Sequence, residues 1–209
     1  MDWKRLWKKT WYFIWESDSI WSWIVNVILA FILIKFIVYP GLGLILQTAY
    51  PVVAVVSGSM EHKYLGVGAS PCGTSDEILV SFDQYWDECG SWYEQNTQIT
   101  KENFSNFRFK NGFNKGDIMV LKGSKPEKLE AGDTIVYMSK TAPYPIIHRI
   151  VDIKYSENNS NFITKGDHNS KADPIVDEEQ VVGKAILRIP LLGWVKIGFV
   201  KLINLFIGI

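Results

Sequence analysis

Cysteine and histidine are scarce in this chain, two and three respectively among 209 residues. Charge of neither sign prevails, since 22 Lys and Arg stand against 22 Asp and Glu. A balanced charge argues against a nucleic-acid binder, which carries a basic excess. Cys72 and Cys89 have no CxxC partner, so zinc is not expected on them, and no metal or cofactor is expected for the chain. A disulfide between them would be favoured only outside the cytoplasm. Internal repeats and low-complexity tracts are also lacking.

Apolar and aromatic residues, by contrast, are plentiful and unevenly placed. Five of the nine Trp residues (Trp3, Trp7, Trp11, Trp15, Trp21) fall in the first 21 positions, and Trp favours the membrane interface. Trp3, Trp7, Trp11 and Trp15 recur every four residues and would share a helical face, so positions 1–18 read as an amphipathic cytoplasmic or interfacial segment. Ile20 to Tyr39 is almost wholly apolar. About 20 helical residues cover roughly 30 Å of hydrocarbon, which makes 19–40 a transmembrane anchor. Pro40 and Gly41 are expected to end that helix. The run is longer than a signal-peptide core and no small-x-small site follows it, so it reads as retained. Lys4, Arg5, Lys8 and Lys9 precede it and no Lys or Arg follows until Lys63. The N-terminus is therefore expected in the cytoplasm and the rest outside. Residues 191–209 form a second apolar stretch, an amphipathic helix that either lies in the outer interface or spans; both readings stay open.

Between these ends, 50–190 holds short Val- and Ile-rich runs bounded by turn residues, which predicts a mainly β fold in one compact domain. Positions 61–115 interrupt that pattern with both cysteines and many aromatics. They read as an inserted subdomain, helical around Trp86–Tyr93 and Lys101–Phe107, that either shapes substrate access or packs on the core.

Serine becomes a nucleophile when a base takes its proton, and His has a pKa suited to that work. Ser59 follows Gly58 at the end of a strand-like run. His148 sits in Pro145–Asp152, while His168 and Asp173 lie in a polar loop. Each has a plain reading as well: a turn serine, a solvent-facing strand histidine, or a self-bonded loop.

Taken in order, Ser57-Gly-Ser-Met60, Gly116-Asp-Ile118, His148-Arg-Ile-Val151 and the Lys165-Gly-Asp-x-Asn-x3-Asp173 segment resemble type I signal peptidases. The resemblance is to the branch of archaea and the endoplasmic reticulum, which carries His where bacterial enzymes carry a catalytic Lys. It runs from about Val52 to Pro190 outside the insertion. It implies a membrane-bound serine endopeptidase that cleaves signal peptides from exported preproteins after small residues. Ser59 would be the nucleophile, His148 the general base and Asp173 the acid orienting it. Ser57 would assist the oxyanion hole, Asp167 would support the site, and Asp117 would be a structural turn residue. The implied partners are preproteins, the bilayer and the protein-translocation channel. Two departures stand out: Glu61-His62-Lys63 replaces an expected proline after Ser-Met, and His168 replaces an Asn and becomes a rival base. The alternatives are a related maturation protease, a non-catalytic extracytoplasmic module, and a metal site built from His62, His148, His168 and an Asp.

Overall fold

The computed structural model describes residues 2–62, 72, 81–140, 142–156, 159–195 and 197–200. The chain divides into two compact units, Met1–Ile45 and Leu46–Ile209.

In the first unit, α1 (Trp3–Trp15) carries its tryptophans exposed along one side. The rings of Trp7, Trp11 and Trp15 follow one another at 6.3 and 5.8 Å, as four-residue spacing requires. The chain then turns, and the Ser19 hydroxyl accepts from the Trp21 N–H to begin α2 (Ile20–Leu33). Asn26, a polar interruption in the apolar run, donates to the Ile14 carbonyl at 2.8 Å, and the Ser22 hydroxyl donates to that of Phe13. These side chains satisfy carbonyls that the end of α1 leaves unpaired.

The apolar helix does not stop at Pro40. It continues through a π turn (Ile34–Val38) and α3 (Tyr39–Leu46), giving 27 residues from Ile20 to Leu46. Proline lacks an N–H and its ring crowds the carbonyl four residues earlier. The wider π turn immediately before it provides the local adjustment that lets the helix pass. At 1.5 Å per residue the helix is about 40 Å long, long and apolar enough to cross a membrane.

The second unit is built on a seven-stranded antiparallel sheet, so its mainly β character is as expected. In chain order the strands are β1 (Val52–Ala54), β2 (Ile118–Lys122), β3 (Thr134–Met138), β4 (Pro145–Tyr155), β5 (Ser160–Lys165), β6 (Val176–Asp177) and β7 (Val181–Ile189). In space they run β1-β2-β7-β3-β4-β5-β6. β6 has only two residues and carries no alternation that a sequence pattern could reveal. Between β1 and β2 lie α4 (Phe82–Asn96) and α5 (Lys101–Ser105), each opened by a reciprocal capping box, Ser81 with Gln84 and Thr100 with Asn103. Residues 63–71 and 73–80 of the predicted insertion lie outside the described residues, as do 196 and 201–209 of the C-terminal stretch; 193–195 and 197–200 are helical.

Strand alternation sorts the side chains. Ile135, Tyr137 and Ile150 form one cluster with Phe162, Val176 and Leu129. Val136 packs instead with Met119, Leu121, Ala185, Met60 and Phe113. A third cluster joins the helices to the sheet through Tyr85, Trp86, Cys89, Tyr93, Phe104 and Val151. A disulfide between Cys72 and Cys89 fastens α4 to the Cys72 segment, closing a loop of a size that stabilises by roughly 3 kcal/mol.

Phe104 is fully buried and lies within 5.9 Å, ring centre to ring centre, of Phe82, Tyr85, Trp86, Tyr93 and Phe107. Phe104→Ala is expected to cost about 3–5 kcal/mol, read as a lowered denaturant midpoint of the detergent-solubilised chain. An unchanged midpoint would mean that the helices do not anchor on this ring.

Candidate active site

Three chain regions far apart in sequence converge at one site. Ser57–Met60 run on from β1, His148 lies within β4, and residues 166–173 follow β5. His148 Nε2 is 2.9 Å from Ser59 Oγ, and its Nδ1 is 2.5 Å from Asp173 Oδ2. The same carboxylate oxygen accepts from the Thr164 hydroxyl at 2.8 Å, and the Asp173 N–H donates to the Thr164 carbonyl at 2.7 Å. Thr164 thus fixes Asp173 from both its side chain and its backbone. His148 is only 6 % exposed, so it does not face solvent. Ser57 Oγ lies 3.2 Å from Ser59 Oγ.

Local geometry accounts for the approach of the loop. The His168 N–H donates to the Ser59 carbonyl at 2.8 Å. A Cβ on Gly166 would fall 2.7 Å from that carbonyl and 2.8 Å from His148 Nε2. Only glycine lets the loop come this close. The His168 ring turns to the Glu61 carbonyl, with Nδ1 at 3.1 Å, and meets Ser59 through its backbone.

Asp167 occupies a different place from the triad. It is fully buried and touches neither Ser59 nor His148 through its carboxylate. Instead it takes Arg149 Nε at 2.9 Å, Arg149 Nη2 at 2.7 Å, His62 Nε2 at 2.9 Å and the Tyr93 hydroxyl at 3.3 Å. Adjacent strand positions point to opposite faces, which is why His148 and Arg149, neighbours on β4, serve two different clusters. The remaining Arg149 donors reach the carbonyls of Arg108, Gly132 and Phe109, and its guanidinium lies 4.6 Å from the Phe104 ring centre. All five of its N–H groups are therefore matched. Burial pushes the Asp167 carboxyl up, but Arg149 and His62 outweigh it and hold the group well below the usual carboxylate range. Burial lowers His62, against the opposing pull of Asp167, and its ring stacks on Tyr85 at 3.6 Å.

Lys165 Nζ lies over the Trp92 and Tyr93 rings and donates to the carbonyls of Gly166 and Asp167. Burial pushes it down to about 8, against the pull of Asp167. Thr164, Tyr85 and Tyr93 carry no signal in the sequence; Arg149 and Lys165 stand in the resembling motifs, and His62 stands out only as a departure from the motif and as a candidate metal ligand, whereas here it pairs with Asp167. Asp117 holds a turn, accepting from the N–H groups of Asn114 and Leu191 and pairing with Arg188.

The three histidines do not converge. His62 meets Asp167, His148 meets Ser59 and Asp173, and the His168 ring meets a carbonyl. Among the described residues no cluster of three or more His, Cys, Asp or Glu is disposed to hold a metal ion. Chemically, Ser59, His148 and Asp173 are arranged to take a proton from a hydroxyl and to stabilise the resulting imidazolium.

The chain is similar to catalytic subunits of the signal peptidase complex. It is 29% identical over 94 residues to SEC11C of Homo sapiens, covering 41% of this chain and 49% of that protein. It is 35% identical over 78 residues to sec11 of Schizosaccharomyces pombe, covering 29% and 41%. It is 22% identical over 172 residues to SEC11 of Yarrowia lipolytica, covering 78% and 71%. With the human relative and its mammalian counterparts, the match spans about half of their length. No family model matches the chain.

Titration of the buried cluster has a worked sign. Asp167 has a depressed folded pKa, so its stabilisation is present above its unfolded value near 3.9 and is lost as pH falls toward the folded one. Lys165 is also depressed, so the unfolded chain binds more protons between about 8 and about 10.4, and this group's contribution rises with pH across that window. Lys165→Met is expected to remove that rise and Asp167→Asn the acid-side loss, measured as denaturant midpoints against pH. Curves parallel to wild type would show that these groups do not carry the linkage. Arg149→Met, which strands a buried carboxylate, is expected to cost about 3–5 kcal/mol.

Proposed function

We propose that this chain is a membrane-anchored serine endopeptidase that cleaves signal peptides from preproteins after small residues. The observation that carries the reading is the unbroken line from Ser59 Oγ through His148 to Asp173, at 2.9 and 2.5 Å. Similarity to proteins named as signal peptidase catalytic subunits supports the substrate class.

In this reading Ser59 Oγ attacks the scissile carbonyl carbon as His148 Nε2 accepts the hydroxyl proton, and Asp173 stabilises the imidazolium. The developing oxyanion is received by the Ser59 N–H, with Ser57 Oγ assisting. As the C–N bond breaks, His148 returns the proton to the departing amine of the mature protein. The signal peptide stays esterified to Ser59. Water then attacks the ester, His148 takes its proton and gives it to Ser59 Oγ, and the acid product leaves. Asp167 supports the loop rather than the reaction: its ion pair with Arg149 holds the segment whose His168 N–H grips the Ser59 carbonyl.

The anchor lies with its N-terminus in the cytoplasm and the unit Leu46–Ile209 outside, where the Cys72–Cys89 disulfide suits the redox conditions. In this reading positions 1–18 are an amphipathic cytoplasmic or interfacial segment, 61–115 an inserted subdomain, and 191–209 an apolar amphipathic helix that either lies on the membrane or spans it. The signal peptide's apolar segment sits in the same bilayer, so a shared plane raises the effective concentration of the two partners. The bilayer and the translocation channel are the partners of this arrangement.

Ser59→Ala and His148→Ala are each expected to lower preprotein processing by about 10⁴-fold or more, and Asp173→Asn by about 10⁴-fold. The assay is cleavage of a preprotein in detergent micelles, with a chelator present throughout. Processing retained by Ser59→Ala would remove the serine mechanism, and inhibition of wild type by the chelator alone would point to a metal.

A further inference from the structure

A basic cavity lies away from the triad, wholly within the second unit. It has a volume of about 420 Å³ and is lined by Gln47, Arg108, Lys122, Lys125, Lys128 and Lys184, with Asp133 the acid among the lining residues. Asp133 is already engaged by Lys184 at 2.6 Å. Glu127 shares the turn of Lys125 and Lys128 but does not line the cavity. Lys122, Lys125, Lys128 and Arg108 are exposed, and among the described residues none of the four makes an ion pair. Four cations around one concavity raise its potential toward anions.

The position of the cavity narrows the occupant. Gln47 follows Leu46, the last residue of the 27-residue apolar helix. The Leu46 carbonyl accepts from the Gly123 N–H at 2.8 Å, and Thr48 Oγ1 donates to the Val182 carbonyl at 2.9 Å. A Cβ on Gly123 would fall 1.9 Å from the Gln47 carbonyl oxygen, so the wall of the cavity is pressed against the residues at which the chain leaves the apolar helix. A cavity within one residue of a membrane span lies at headgroup level, where the abundant anion is a lipid phosphate.

We propose that this cavity binds the headgroup of an anionic phospholipid, with Lys122, Lys125, Lys128 and Arg108 on the phosphate. The proposal rests on the reading of Ile20–Leu46 as a membrane span and is independent of the chemistry at Ser59.

The test uses the full chain, stripped of lipid in detergent and titrated with phosphatidylglycerol or phosphatidylcholine, bound lipid being counted by native mass spectrometry. Wild type should prefer phosphatidylglycerol. Each of Lys122→Gln, Lys125→Gln and Lys128→Gln should weaken that lipid by about fivefold, while the corresponding Arg variants keep it and Lys154→Gln, at an exposed position of β4, changes nothing. Equal lipid binding by the triple Gln variant and wild type would overturn the proposal. So would inorganic phosphate or glycerol phosphate binding as tightly as the lipid, which would make the site one for a free anion. Running the series in Ser59→Ala separates this outcome from failure of the catalytic reading, and insertion into nanodiscs separately checks the span.

Discussion

The buried pair of Arg149 and Asp167 sets the terms for the rest of the second unit. Removing two charges from water costs several kcal/mol per ion unless the remaining donors and acceptors are met. Here they are met, by three backbone carbonyls for Arg149 and by His62 and Tyr93 for Asp167. Such a pair tolerates little displacement of either partner. Because Asp167 sits between Gly166 and His168, locking its carboxylate also locks the loop that closes on Ser59. The helices α4 and α5 supply Tyr85, Tyr93 and Phe104 to this cluster, so what reads as an insertion in the strand pattern is part of what holds the loop.

The proposed catalytic groups lie on the other side of the same strand. Regular alternation at His148 and Arg149 lets one segment of β4 serve the reaction on one face and the support on the other. Asp173 is held by Thr164, the last residue but one of β5, through two hydrogen bonds. Thus imidazole and carboxylate are positioned by the pairing of β4 with β5, and Ser59 by the Gly166 and His168 contacts. Proximity of this kind is built at folding: Ser59, His148 and Asp173 already stand within hydrogen-bond reach of one another.

The first unit holds a helix long and apolar enough to cross a membrane. The helix Ile20–Leu46 is apolar over most of its surface; Lys35 lies beside the Phe31 and Phe36 rings, and the polar side chains near its start, Ser22 and Asn26, are used on carbonyls of α1. Groups without water must find partners inside the chain. The same economy explains the π turn ahead of Pro40, where a missing N–H and a crowded carbonyl have to be accommodated within the helix.

Much of this could be read in the chain itself. Periodicity and length revealed the Trp-lined segment, the apolar helix and most of the strands, because those depend on local spacing alone. Motif order singled out Ser59, His148 and Asp173 as candidates. The end of the apolar helix is not legible in the sequence, because a Pro-Gly pair breaks helices in water, yet a π turn carries this one past Pro40. Whether Cys72 and Cys89 pair, how His62 and Tyr93 reach Asp167, why Thr164 matters and where the lysines around Gly123 gather all require contacts between residues tens of positions apart. Local pattern determines which elements form and which face is apolar, since each residue's neighbours in sequence are its neighbours in a helix or strand. Only the packed structure decides which charges meet, since the partner that makes a buried ion tolerable is chosen by distance in space.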